Sequence, residues 1–511
     1  MGRAATAIIF VLSGALLSAQ QAGQAQNGQA GGKPLPQALV AEWARTFASA
    51  GGTARLFAVA ADANGNVYAA GMTTGSSKYQ LSADVHVKGT ASKDKENVLL
   101  AKYDSAGTVR WARTLTSGND GAAFTGLAVD GQGGVYAAGW TVGKTTFGFG
   151  DGVSVAGGGK ESPLIVKYSA AGKVLWARGM STDTDEARYS GVAVDRDGRV
   201  CAAGSLFGKS RIDFGGGVTL TGTAEHGTLL VRYDSSGAPQ WARTLTAGDG
   251  ASFEAVAVDS EGNIFAAGVK GSSLVEFGSG VRVKGQSGGQ GRVLLVKYDA
   301  DGNPRWARSL VSGDDDAGYS GVAVDGAGNA CVSGYCNGVG TYGFGNGVLA
   351  KGSASWVPPN VLIVKYDNVG TPQWARTLAG GSDARFIGLA ADLSGHTYAG
   401  GYVWGVGYDF GEGVAAQPSS VNTSALLVKY TASGTPAAAR SATSIGRLFS
   451  ARDSTFVGIA VDNRGAVYAA GLVSDGAYDF GDGVVAVNES GAREVDQILL
   501  VKYRDPAAVI P

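Results

Sequence analysis

The sequence predicts an all-β fold, a seven-bladed β-propeller. Three observations carry this: a triplet that recurs at even spacing, the strand-and-turn content between its copies, and one strand too many at the N-terminal end. The triplet Trp-Ala-Arg begins at Trp43, Trp111, Trp176, Trp241, Trp306 and Trp374, with a degraded copy at Ala438-Ala439-Arg440. The spacings are 68, 65, 65, 65, 68 and 64 residues, too even for chance and too long for the common helical repeats.

The second copy shows the unit in order. After Trp111 to Leu115 and a Gly/Asp loop, Phe124 to Asp130 and Val135 to Gly139 flank a tight Gly131-Gln132-Gly133 turn, the signature of a hairpin. A Gly-rich connection follows, and its Phe149-Gly150-Asp151-Gly152-Val153 segment predicts a small extra hairpin between the second and third strands. Leu164 to Tyr168 reads as the third strand, Ser169 to Gly172 as a turn, and Trp176 opens the fourth strand. Beyond residue 30 no stretch keeps a helical period.

The chain ends favour a ring over a stacked solenoid. Seven first strands and seven third strands fall between Leu56 and Tyr503, but only six fourth strands follow them. The segment Glu42 to Phe47 supplies the seventh if it pairs with Ile498 to Tyr503, which closes the ring and leaves no open edge.

Three elements carry a resemblance to a known group. They are the hairpin of Asp62 to Gly71, the Phe-Gly-x-Gly-Val segment, and the run from Leu294 to Trp306. Over roughly residues 41 to 503 the chain resembles the bacterial β-propeller repeat proteins called the SBBP family, which implies a seven-bladed propeller in a secreted or cell-surface protein. Departures are Ala438 for Trp, Leu81-Ser82-Ala83 where the small hairpin is expected, and Leu56 for an aromatic.

The N-terminus reads as a targeting segment. Arg3 precedes an apolar run from Ala4 to Leu17, and Gly23-Gln24-Ala25 fits a small-x-small cleavage site, with Ala19 and Ala22 as alternatives. The run is short for a membrane span, an uncleaved anchor being the rival reading, and no Cys follows it to take a lipid. The expected division is a signal peptide over 1–25, a flexible leader over 26–40, the propeller over 41–504 and a tail over 505–511. Export to the periplasm, the cell surface or the medium of a bacterium follows.

Gly contributes 83 of 511 residues, at fixed repeat positions beside strands, so it reads as turn chemistry and not as disorder. The net charge of −1 lends no support to nucleic-acid or acidic-membrane binding. Cys201 and Cys331 replace the Tyr of other copies and, with Cys336, are expected as free buried thiols. His86, His226 and His396 fall in different blades, which leaves neither a zinc site nor a histidine triad in view.

Repeated charges read as structural. Asp62, Asp130, Asp195, Asp259, Asp325, Asp392 and Asp462 each precede a turn and can accept its N–H groups. The rival is a calcium loop, best represented by Asp195-Arg196-Asp197-Gly198, though the third position varies too much to supply its oxygens. The recurring Lys and Arg positions, such as Lys102 and Arg113, are too uniform to form one site and are expected to bond between blades.

Irregularity points to one face. The connections from each Trp strand to the next first strand are acidic, with Asp120, Asp183, Asp185, Asp249, Asp314, Asp315, Asp316, Asp383 and Asp453, and aromatics including Tyr189 and Tyr319 follow them. Trp140, Trp356 and Trp404 lie outside the repeated Trp position. Together these form the candidate ligand-binding rim, since loops on a rigid scaffold are where binding resides. Solvated capping carboxylates and packing under loops are the bland readings of the same residues.

The preferred expectation is an exported, monomeric, non-enzymatic module that binds a protein or glycan, with no cofactor. The alternative is an enzyme, a quinoprotein-like oxidoreductase or a lyase working through the rim carboxylates. Tyr-Asp-x-x-Gly-x-x-x-Trp does resemble the docking motif of quinoprotein dehydrogenase propellers, but no accompanying calcium and quinone constellation is found.

Overall fold

In the computed structural model the described residues are 38–507, apart from 50–51, 181–185, 210, 272–273, 285–290, 314, 354–358, 382, 419–422, 446–452 and 489–494. The expected signal peptide and nearly all of the leader lie outside them. Every regular element described is a strand. No described helix is long and apolar enough to cross a membrane.

The body is propeller-like, with seven four-stranded antiparallel sheets. Their first strands are Ala54–Ala61, Gly121–Val129, Glu186–Val194, Ala251–Val258, Ala317–Val324, Ala384–Ala391 and Ser454–Val461, and they define sheets one to seven. Each first strand packs against that of the next sheet, and the seventh packs against the first. Apolar residues of neighbouring sheets share one core cluster: Tyr68 and Leu100 of sheet one pack with Phe124 and Val166 of sheet two.

An accessory hairpin joins the second and third strands, as in Thr146–Gly150 with Val153–Ala156. Sheet one has one too, Lys78–Gln80 with His86–Lys88, although Leu81-Ser82-Ala83 lacks the glycines. Tyr79, completely buried, anchors it as Phe147 anchors the hairpin of sheet two, so an apolar anchor suffices where the motif is missing.

The repeated Trp welds sheet to sheet. Its indole N–H donates to a carbonyl in the next sheet's turn between third and fourth strands: Trp111 to Ala170 at 3.1 Å, Trp176 to Ser235 at 3.2 Å, Trp374 to Ala432 at 3.1 Å. The Arg two residues on lies over the indole, Arg113 at 5.3 Å from the ring centre, and donates to the turn glycine, Gly172, at 2.8 Å. A Cβ on Gly434 would meet the Trp374 ring at 2.4 Å, and its φ of +80° suits glycine independently.

Trp43 obeys the same rule across the chain ends. Val40–Arg45 pairs antiparallel with Gln497–Arg504 as the fourth strand of sheet seven, and Trp43 donates to Ser105 of sheet one at 3.1 Å. Sheet seven therefore has no turn between its third and fourth strands, because its fourth strand comes from the other end of the chain. That missing turn explains the degraded copy: a Trp at Ala438 would have no glycine turn to rest on. The two chain ends fill the gap instead. Arg440 Nε donates to Leu39 O at 2.6 Å, and Asp505 accepts from Lys429 at 2.5 Å and from Tyr398 at 2.7 Å. Leu39 and Asp505, expected in a leader and a tail, are accordingly buried parts of the fold.

Repeated charges are used locally or between sheets. Asp62 Oδ1 accepts the N–H groups of Asn64 and Asn66 at 3.0 and 2.9 Å, Asp130, Asp195, Asp259, Asp325 and Asp462 do likewise, and Asp392 accepts that of His396. In the would-be calcium loop, Arg199 bonds both Asp195 and Asp197 while Arg232 also bonds Asp195. Among the described residues no group of three or more His, Cys, Asp or Glu is placed to hold a metal ion. Where the second strand has Tyr, its hydroxyl takes the turn Asp and the cation lies over the ring, as with Tyr136, Asp130 and Lys167. Where Cys replaces it, at Cys201 and Cys331, the cation reaches the Asp directly: Arg232 to Asp195, and Lys365 to Asp325 at 2.8 Å. All three cysteines are free and buried, and burial pushes the Cys201 thiol up to about 11 and the other two to about 12.

Candidate ligand site at the funnel mouth

Every first strand carries a β-bulge one residue beyond its buried aromatic or leucine. The register slips between Leu56 and Ala58, between Tyr189 and Gly191, between Phe386 and Gly388, and at the same place in the other four. Opposite each bulge stands a second-strand glycine, and a Cβ on Gly401 would sit 1.8 Å from the Arg385 carbonyl. Each bulge turns one half-buried side chain toward the axis, which is how bulges re-aim residues.

The seven bulged residues are Phe57, Thr125, Ser190, Glu254, Ser320, Ile387 and Val457. All of them line a cavity of about 610 Å³ and the narrower channel of about 170 Å³ that continues it. In ring order they divide the wall in two. Thr125, Ser190, Glu254 and Ser320 make a polar arc over sheets two to five, and Ile387, Val457 and Phe57 an apolar arc over sheets six, seven and one.

Neighbouring positions add three aromatic walls, Trp140, Tyr335 and Tyr402, and two cations, Arg188 and Arg385. Arg188 is engaged: it lies 3.8 Å from Glu161 and 5.8 Å from the Phe207 ring centre. Arg385 sits over Tyr335 at 4.3 Å, and its buried Nε has no hydrogen-bond partner. Glu254 accepts from Ser252 at 2.7 Å and has its second oxygen left over. Among the described residues, the hydroxyls of Ser190, Ser320, Tyr335 and Tyr402 and the Trp140 indole N–H make no hydrogen bond to protein.

The acidic rim is differently disposed. Asp120 accepts the N–H groups of Lys144 and Thr145 at 3.1 and 3.2 Å, Asp249 that of His226 at 2.8 Å, Asp316 that of Gly291 at 3.1 Å, and Asp453 that of Thr423 at 3.1 Å. These carboxylates hold the second-to-third connections in place. Asp315 takes part through its carbonyl, which accepts from Arg292, and burial pushes the Asp383 carboxyl up. Asp183, Asp185, Asp314 and Trp356 lie outside the described residues.

Tyr189 and Tyr319 contribute to the cavity lining but are almost fully buried, their hydroxyls paired with Tyr233 at 2.7 Å and Tyr366 at 3.0 Å. Trp404 is 54% exposed at the end of its strand, and Trp140 lines the cavity. The bulged residues escaped the sequence reading, yet they carry a signal. Their position, between a buried ring or Leu56 and a Gly or Ala, changes chemistry from copy to copy, as does the position two before it, which holds Arg188 and Arg385.

No protein family profile matches the chain, and no curated protein does. Among solved structures it is similar to Sqt1 from Chaetomium thermophilum, at 13% identity and a TM-score of 0.39 over 92% of this chain and all of that one. It is also similar to a mutant of the Synechocystis apocarotenoid oxygenase, at 8% identity and TM-score 0.38 over 92% and 94% of the two chains. A third likeness is to XC5397 from Xanthomonas campestris, a gluconolactonase, at 11% identity and TM-score 0.29 over 73% and 90%. At these scores none of the three bears on what the chain does.

Proposed function

We propose that the seven sheets are the blades of a propeller closed by its N-terminal strand, and that the chain is an exported, non-enzymatic module binding a protein or glycan in the axial funnel. The pairing of Val40–Arg45 with Gln497–Arg504 and the cyclic contacts of the first strands support the ring. The binding reading rests on a single observation. Among the described residues, the cavity gathers the Arg385 guanidinium, two serine hydroxyls, two phenols and an indole N–H with no protein hydrogen-bond partner, whereas the carboxylates of Asp120, Asp249, Asp316 and Asp453 accept backbone N–H groups. Polar groups left open in a concave, aromatic-lined site are the usual basis of ligand orientation.

A glycan and surface-protein screen tests this on the full chain, on Trp140→Ala with Tyr402→Ala, and on Asp249→Asn. Binding lost in the funnel variant and retained in the rim variant supports the reading. Binding retained in the funnel variant and lost in the rim variant would overturn it. Turnover of the bound ligand would replace it with the enzymatic alternative.

A further inference from the structure

Resting on the funnel reading, we infer that the ligand is a sugar chain bearing a single carboxylate, a uronate residue on an otherwise neutral glycan, with Arg385 as its anchor.

The charge argument comes first. The cavity wall holds three ionised side chains, Arg188, Arg385 and Glu254, and Arg188 already faces Glu161. Arg385 is the cation left to meet a ligand, fixed over Tyr335 and beside its cross-strand partner Tyr402. The planar fork of a guanidinium suits the two oxygens of a carboxylate, and that of Arg385 has no hydrogen-bond partner among the described residues. Glu254, in the opposite arc, can accept from ligand hydroxyls, and Ser190 and Ser320 can donate to or accept from them.

The choice of sugar over peptide follows from the wall itself. Recognition of an extended peptide uses free backbone N–H and C=O groups at a sheet edge. Here the wall is made of first and second strands whose backbones pair with each other, so side chains alone are on offer. Trp140, Tyr335 and Tyr402 give flat apolar faces with polar tips, matching a pyranose with its C–H face and hydroxyl rim.

The limit to one carboxylate comes from the surroundings. Asp120, Asp249, Asp316, Asp383 and Asp453 belong to connections at the same ends of the first strands, so a polyanion would meet like charge outside Arg385, the one cation of the wall that has no carboxylate partner among the described residues. Like charges at an entrance oppose binding unless salt screens them. A neutral chain with one buried uronate avoids that repulsion.

Titration calorimetry on the full chain would use a xylo-oligosaccharide carrying one glucuronate, the same sugar with its carboxyl reduced to an alcohol, polygalacturonate, and a neutral peptide with a free C-terminal carboxylate. Expected are binding of the first probe, at least about tenfold weaker binding of the reduced probe, and a similar loss in Arg385→Met with the melting temperature unchanged. Arg385→Lys keeps the charge without the fork and should fall between. Equal affinity for the reduced probe, or an Arg385→Met variant that binds like the parent, overturns the carboxylate anchor. Loss of binding in Trp140→Ala would in that case leave the funnel reading standing. Preference for polygalacturonate or for the peptide, or no binding of the glucuronate probe at millimolar concentration, overturns the proposal as well.

Discussion

The perimeter and the funnel are built from the same strands and treat polar groups in opposite ways. On the perimeter each repeated group has a fixed partner: Trp176 reaches Ser235, Arg178 reaches Gly237 at 2.8 Å, and Lys167 reaches Ser235 at 3.2 Å. In the funnel Arg385, Ser190, Ser320 and Tyr402 have no hydrogen-bond partner among the described residues. Repetition serves assembly, because one sheet must fit the next seven times over. Variation collects where no neighbouring sheet makes a demand, and there the side chain is free to serve a ligand.

The sharpest way to break this contrast is at the chain ends. Deleting residues 38–47 removes Leu39, Trp43 and the fourth strand of sheet seven. It should abolish cooperative unfolding, a loss comparable with the whole stability of a domain, about 5–15 kcal/mol. A truncated chain that melts like the parent in calorimetry would refute the weld.

Next in size is Trp374→Ala, which strips a ring stacked 6.4 Å from Tyr430 and seated on Gly434. Denaturant titration should show a loss of about 3–5 kcal/mol while the funnel keeps its ligand affinity.

Asp505→Asn should follow, at about 3 kcal/mol, because the Lys429 charge is left buried without its counter-charge. Burial alone would raise the Asp505 carboxyl, but the hydrogen bonds from Lys429 and Tyr398 hold it below the ordinary carboxylate range. A depressed folded-state value means stability that is complete above the unfolded value of about 4 and is lost as pH falls through the folded one. Melting temperatures measured downward from about pH 5 should therefore fall less steeply in the Asn variant than in the parent.

The smallest change has the opposite sign. In sheets three and five a first-strand Tyr gives the third-strand Tyr hydroxyl a partner, but the first-strand residue is Phe124, Phe253 or Phe386 in sheets two, four and six. There the buried hydroxyls of Tyr168, Tyr298 and Tyr430 have none. Phe386→Tyr should supply the missing partner and stabilise by about 1 kcal/mol, although it adjoins Arg385. Destabilisation would mean that the site under the funnel is too tightly packed for the extra oxygen.

Much of this is legible in the sequence. The strand order of each unit, the extra hairpin, the assignment of Trp43 to the last sheet, the turn-capping aspartates and the core cysteines all follow from position within the repeat. Of the candidate rim, Trp140, Tyr189 and Tyr319 line the cavity, and the aspartates belong to the connections around it. Those aspartates do stand out in the sequence, but so would any carboxylate needed to cap an irregular connection, and sequence cannot show which N–H groups such a side chain meets. The small hairpin Lys78–Gln80 with His86–Lys88 forms although Leu81-Ser82-Ala83 departs from the motif, with Tyr79 buried beneath it.

By itself the sequence determined the sheets, since strand period, turn chemistry and the repeat are local properties of the chain. Tertiary structure alone decided two things. The bulges bring seven residues, far apart in sequence, to one axis, and only that convergence makes Glu254, Ser320 and Arg385 neighbours of one cavity. Likewise the missing turn of sheet seven gives Ala438 its reason and places Leu39 and Asp505 in the core. Both depend on which surfaces meet, and a one-dimensional pattern does not carry that information.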